Sequence, residues 1–166
     1  QNPADRLTFG SLTMFVHHSG ERYAIRLRNQ NSKIRKNFSG LRWYPVAEKY
    51  RVQAQFLPYD RIKNISLPNI LGDTETYVSP GDVVFTLDDQ RFSMVSVWED
   101  RELFLIFRDL TSGNETYPAA RFLYAETLED GSLILDFNKA YNPPCAFNPH
   151  TTCPLPPLSN RLRTRI

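Results

Sequence analysis

The sequence has only two cysteines, two methionines and two tryptophans in 166 residues. Two cysteines cannot build a disulfide scaffold, so the fold must rest on a packed apolar core. A chain of this length can bury one as a single domain, here taken as residues 1–166. Long hydrophobic runs are missing as well. The longest, such as Leu103–Phe107, fall far short of the roughly 20 residues a spanning helix needs, so no membrane span is expected. Net charge is only +2, which excludes a uniformly polybasic chain. No initiator methionine and no apolar targeting segment precede Gln1-Asn2-Pro3, and a processed form or a portion of a longer protein is expected. What is present is a 41% apolar share with 11 Phe and 8 Tyr, which excludes intrinsic disorder.

The small net charge hides an asymmetry. Residues 22–51 carry nine Lys/Arg against Glu48 alone, whereas residues 60–136 carry fifteen Asp/Glu against six Lys/Arg. A basic block can be a footprint for nucleic acid. No nucleic-acid motif accompanies it, so the expectation is mutual neutralisation of the two stretches, and nucleic acid is not expected as a partner.

Strand signals dominate. Leu7–Val16 is followed by a turn at His18–Glu21 and by Arg22–Leu27, where Tyr23, Ile25 and Leu27 alternate with Arg22, Arg26 and Arg28, a hairpin with one wet face. Asn29–Gly40 reads as a loop or a short helix. Tyr50–Phe56 alternates cleanly, Arg61–Leu67 follows as a further strand, and Leu71–Pro80 reads as loop. Val83–Leu87 and Phe92–Val97 flank Asp88-Asp89-Gln90 as a second hairpin. Leu103–Phe107 is apolar throughout, the mark of a strand buried on both faces. Arg121–Ala125 and Ser132–Phe137 read as a third hairpin. Helical spacing never persists, so the expected fold is all-β: one mostly antiparallel barrel or sandwich.

The segment 142–157, NPPCAFNPHTTCPLPP, holds six prolines in sixteen residues. Proline lacks the N–H a central strand needs, so this is expected to be an ordered arm, docked through Phe147 and Leu155. The arm and what precedes it carry a resemblance. Phe107-Arg108-Asp109, Thr111–Tyr117, Arg121–Tyr124, Leu135–Phe147, Cys153–Pro157 and Asn160-Arg161-Leu162 are similar to the bacterial and archaeal family called domain of unknown function 1684. Gly40–Pro45 and Pro68–Gly72 resemble it too. The resemblance implies a β-rich protein, commonly with further β sequence upstream, and a secreted or periplasmic location is the expectation. It assigns no function. Many members are expected to have an aromatic residue where this chain has His150, which speaks against a family-wide role for that histidine.

Candidate chemistry follows from residue types. Cys145 and Cys153, with His150 between them, allow three readings: a disulfide worth roughly 2–3 kcal/mol, two free thiols, or a metal site. The last is the weakest, because zinc pairs normally sit closer in sequence, and no cofactor is expected. A nucleophilic set from Ser112 or Cys145 with His150 and Asp136 would make a hydrolase, the second functional reading, although Ser112 lacks the Gly-x-Ser-x-Gly elbow. His17-His18 point to opposite faces of a strand and cannot readily chelate one ion. Charges set among aromatics are costly to bury unless paired. Arg108, Asp109, Glu115, Arg121 and Asp136, set among Tyr117, Tyr124 and Tyr141, are therefore expected to form an ion-pair network or line a pocket. In that pocket Arg121 would face Glu115 or Asp136 between tyrosines. The first functional reading is thus a non-catalytic module for a small molecule or glycan; a structural or filament-forming subunit is third.

Overall fold

A computed structural model describes residues 5–19, 21–125 and 130–166. The chain divides into two compact units, residues 1–43 and residues 44–166.

The first unit is an antiparallel meander of β1 (Arg6–Phe9), β2 (Leu12–Ser19) and β3 (Arg22–Asn29). The expected single run Leu7–Val16 is thus two strands, because Gly10 takes a left-handed turn at φ +56° that only glycine adopts cheaply. The register sets Leu7 opposite Met14, Met14 opposite Leu27, and Val16 opposite Ile25, so these side chains share one face. The other face carries Arg6, Phe15, Arg26 and Arg28, with the Arg28 guanidinium 5.0 Å from the centre of the Phe15 ring. Lys33–Lys36 forms α1, a single turn, which resolves the loop-or-helix question for this stretch.

The second unit holds two sheets. Its strands are β4 (Arg51–Pro68), β5 (Thr74–Leu87), β6 (Gln90–Val95), β7 (Val97–Glu99), β8 (Glu102–Phe107), β9 (Arg121–Ala125) and β10 (Ser132–Asp136). One sheet has the order β10-β4-β5-β6, the other β7-β8-β9, and every ladder is antiparallel. The sheets are open and sandwich-like, and no barrel closes among the described residues. Asp88 and Asp89, with φ of 49° and 60°, make the two-residue β5–β6 connection, matching the handed twist of the strands it joins.

Two segments depart from expectation. Thr74–Pro80 belongs to β5 instead of a loop; the turn is confined to Asn69–Asp73, where the Asn69 side chain accepts from Leu71 and Asp73 N–H groups at 2.9 and 3.1 Å. Arg121–Ala125 and Ser132–Asp136 do not form a hairpin: β9 pairs with β8 and β10 with β4. Alternation identifies a strand but not its neighbour, and Leu133 and Leu135 find their match in Ala54 and Val52.

Alternation along β8 and β9 creates two cores. Leu103, Leu105, Phe107, Leu123 and Ala125 face the four-stranded sheet, meeting Val83, Phe85, Met94, Leu133 and Leu135. Phe104, Ile106 and Phe122 point the opposite way and pack with Leu67, Ile65, Tyr77 and Cys153. The β4–β5 hairpin serves both cores because it breaks register between Pro58 and Lys63. Ahead of that irregularity Ala54 and Phe56 pack with the first core; beyond it Ile65 and Leu67 pack with the second. At the break the Tyr59 hydroxyl donates to Asp82, and burial together with that carboxylate pushes the phenol up to about 12. Lys63 Nζ sits 3.5 Å from the centre of the Tyr59 ring.

Gly81 lies opposite Pro58, where a Cβ would come within 2.3 Å of the Leu57 carbonyl oxygen and 2.8 Å of Phe56 Cε2. Two buried serines brace this junction, Ser79 donating to the Ser96 carbonyl at 2.7 Å and Ser96 to the Gly81 carbonyl at 2.8 Å. Gly81→Ala should therefore cost about 2–3 kcal/mol, since backbone must move to admit a methyl group. Urea unfolding of the variant against the parent measures it, and a loss below about 0.5 kcal/mol would contradict the close approach.

Candidate functional site

After Asp136 the chain turns through Phe137–Lys139 and begins the proline-rich arm. Tyr141 forms a two-bond antiparallel bridge with Phe122, at 2.9 and 3.0 Å, laying the start of the arm beside β9. Farther on, Ile70 N–H donates to the Cys153 carbonyl at 3.0 Å and Leu155 N–H to the Pro68 carbonyl at 2.8 Å. These bonds lay the arm along the body, and Leu155 is half-buried. Phe147 is 39% exposed, whereas Pro143, Cys153 and Pro156 are buried. Prolines cost little side-chain entropy to fix, so they serve as anchors without the penalty a long side chain pays.

Asn160 fastens the end of the arm. Fully buried, it accepts from Val95 N–H at 2.8 Å and donates to the carbonyls of Val95 and Ile106 at 2.8 and 2.9 Å. One side-chain amide thus satisfies backbone groups from both sheets. The backbone continues the work, with Arg108 N–H donating to Asn160 and Leu162 N–H to Arg108.

Asp109 is the hub of the buried charge. Its carboxylate accepts from Thr111 N–H and hydroxyl at 3.2 and 2.6 Å, and from Ile166 N–H at 2.6 Å. It pairs with Arg121 at 3.0 Å, both side chains being almost wholly buried. Arg121 also donates to the Ile166 carbonyl at 2.9 Å and lies over the Phe107 ring at 5.0 Å. Desolvation pushes the guanidinium below its ordinary range, and the Asp109 charge offsets this in part. Arg121 Nε is buried and has no hydrogen-bond partner among the described residues.

The predicted site residues fall into separate groups. Arg121 reaches Asp109, not Glu115 or Asp136. Glu115 lies at the surface, bonded to Arg165 at 2.6 Å and to the Tyr44 hydroxyl at 3.1 Å, and these donors hold its carboxyl below the usual range. Asp136 accepts from Asn138 N–H and side-chain amide at 3.2 and 2.9 Å, capping the turn that follows β10. Arg108 is half-buried and contributes its backbone to the arm. Tyr124 projects from the opposite face of β9 to Arg121, since successive strand residues point opposite ways.

On that opposite face a polar rim surrounds the second core. The Tyr124 hydroxyl donates to Glu99 at 2.7 Å, and the Tyr124 and Tyr141 rings lie nearly parallel, 6.2 Å apart. Tyr77 donates to Glu75 at 3.2 Å. Tyr117 donates to the Cys145 carbonyl at 3.2 Å, and burial together with the neighbouring Cys145 thiol pushes its phenol up to about 12. Burial raises the Tyr77, Tyr124 and Tyr141 phenols too, so all four stay protonated at neutral pH.

Cys145 and Cys153 stand together as free thiols, the Cys145 N–H donating to Cys153 Sγ at 3.2 Å. His150 is exposed and does not join them: among the described residues no three potential ligands converge on a metal position. Ser112 bonds Asp109 instead of a histidine. A shallow concavity along Pro58–Lys63 is lined by one continuous segment, without the convergent groups from several elements that a pocket needs. Asp109 was among the charges expected to form ion pairs, and it does so with Arg121. The residues that sequence reasoning missed are Asn160, Glu75, Glu99 and Tyr77.

The family described as Protein of unknown function (DUF1684) matches residues 36–166. No curated protein matches the chain. Among solved structures, the solution NMR structure of the uncharacterized protein from gene locus rrnAC0354 of Haloarcula marismortui is similar, with 34% identity and a TM-score of 0.65. The match covers 80% of this chain and 76% of that one.

Arg121→Ala would leave the Asp109 carboxylate buried without its counter-charge. The expected loss is about 3–5 kcal/mol of unfolding free energy, read by urea denaturation; a loss under about 1 kcal/mol would show the pair to be solvated.

Proposed function

Because the chain belongs to the DUF1684 family of proteins of unknown function, a name that assigns no chemistry, we propose a function from its own geometry: non-catalytic binding of a glycan or similarly polyhydroxylated small molecule at the tyrosine rim. The observation that carries this reading is the grouping of half-buried Tyr77, Tyr124 and Tyr141 with the carboxylates of Glu75 and Glu99. Aromatic rings offer flat apolar area to the C–H face of a sugar, and carboxylates accept from its hydroxyls.

The hydrolase reading has less support. Burial raises the Cys145 thiol to about 11, which keeps it protonated and a poor nucleophile at neutral pH. Ser112 is taken up by Asp109, and Asp136 by Asn138. A catalytic set needs nucleophile and base in hydrogen-bond reach of each other.

The test is titration of the protein with soluble neutral oligosaccharides of cello-, malto- and xylo- series, followed by amide and aromatic NMR shifts. Shifts confined to Tyr77, Tyr124, Tyr141 and their neighbours are expected. Tyr141→Ala and Glu99→Gln should each weaken binding about tenfold, equivalent to about 1.4 kcal/mol. An unchanged spectrum across the whole panel rejects the reading.

A further inference from the structure

We propose that Cys145 and Cys153 form a thiol–disulfide exchange site, which a small disulfide of the glutathione type converts reversibly into an intrachain bond. The two residues bracket an outlying loop. Cys153 is buried in the second core and pinned on both sides, its carbonyl accepting from Ile70 and the following Leu155 N–H donating to Pro68. Cys145 is half-buried in the Pro144–Ala146 turn, and Tyr117 holds its carbonyl at 3.2 Å. Between them Phe147, Pro149 and His150 are exposed. The Cys145 N–H already donates to Cys153 Sγ at 3.2 Å, which sets the two residues side by side. The pair is thus assembled before any oxidant arrives, with Cys145 half-buried and Cys153 buried.

That asymmetry sets the order of steps. The Cys145 thiol gives up its proton, and its thiolate attacks one sulfur of the small disulfide. The disulfide bond breaks, and one small thiolate leaves and takes up a proton. Cys153, deprotonated in turn, then attacks the Cys145 sulfur of the mixed disulfide and expels the second small thiol. Two protein thiols are oxidised and one small disulfide is reduced to two thiols, so atoms, protons and electrons balance. The product closes the loop 145–153 and holds it to the body. Because the attacking thiol is raised to about 11, its thiolate fraction, and with it the rate, should grow roughly tenfold per pH unit between neutrality and pH 9.

The experiment treats the folded, reduced protein with glutathione disulfide and follows intact mass and alkylatable thiols. The expected product is a monomer lighter by two hydrogen atoms, with neither cysteine alkylated, forming faster as pH rises. Proteolysis within residues 146–152 should slow at least tenfold in that product and recover on adding excess reduced glutathione. Cys153→Ala should stop at the single glutathione adduct, and Cys145→Ser should leave Cys153 unreacted while folded. Three outcomes overturn the proposal: disulfide-linked dimers, a parent protein that stops at the adduct, or thiols that react only after denaturation. The parent's product mass decides even if a variant fails to fold.

Discussion

A strand that is apolar on both faces must be covered twice, and β8 imposes that demand on everything around it. Leu103, Leu105 and Phe107 turn one way and Phe104 and Ile106 the other. Leaving either set against water would forgo roughly 1.5–3 kcal/mol per side chain. The four-stranded sheet covers the first face. The second is too far from it to share the same cover, so the chain supplies two devices: the far half of the β4–β5 hairpin and the proline-rich arm. The broken register at Pro58–Lys63, the glycine at position 81 and the docking of Cys153 all answer the same requirement.

Covering apolar faces strands polar groups, and the molecule resolves this with few side chains. Asn160 supplies one acceptor and two donors to backbone that would otherwise end without partners where β6 and β8 stop. Asp109 does the same for the turn after β8 while neutralising Arg121. Burying this ion pair instead of an apolar pair brings no obvious gain in stability. What it brings is definition, since the Thr111–Thr116 turn, β9 and Ile166 all take their places from one carboxylate. The free Arg121 Nε shows that the solution is incomplete.

How much of this was legible in the sequence depends on the range of the interaction. The alternation of Tyr50–Phe56, the turn at Asp88-Asp89 and the double burial of Leu103–Phe107 are local, and composition shows them directly. Strand partnership is not local: β9 and β10 both read as strands, yet nothing in either names β8 or β4 as neighbour. The continuity of β4 and β5 was hidden by Pro58, Pro80 and Gly81, residues that usually end strands and here bend one. For the site, sequence density misled. Arg121 and Tyr124 are three apart, and odd spacing in a strand places them on opposite faces, so the expected single pocket separates into a structural ion pair and a tyrosine rim. That much parity could have told. Asn160 could not be anticipated, because its partners lie 65 and 54 residues away in sequence.

The arm's position in the chain also governs the order in which the protein can be completed. Domains emerge from synthesis N-terminal end first, and Tyr141, Cys145 and Cys153, which complete the cover of Phe104, Ile106 and Phe122, come after β1–β10 have been made. Throughout that interval the β7-β8-β9 sheet presents an aromatic face covered only by the β4–β5 hairpin, and β8 lacks the Asn160 amide that caps its carbonyl at Ile106. Closing contacts across such long sequence separations is slow, because loop entropy must be spent before any packing returns it. This unit is therefore at its most adhesive just before residues 141–160 appear, and a stall or nick in that segment would leave a half-covered face primed to associate with its own kind.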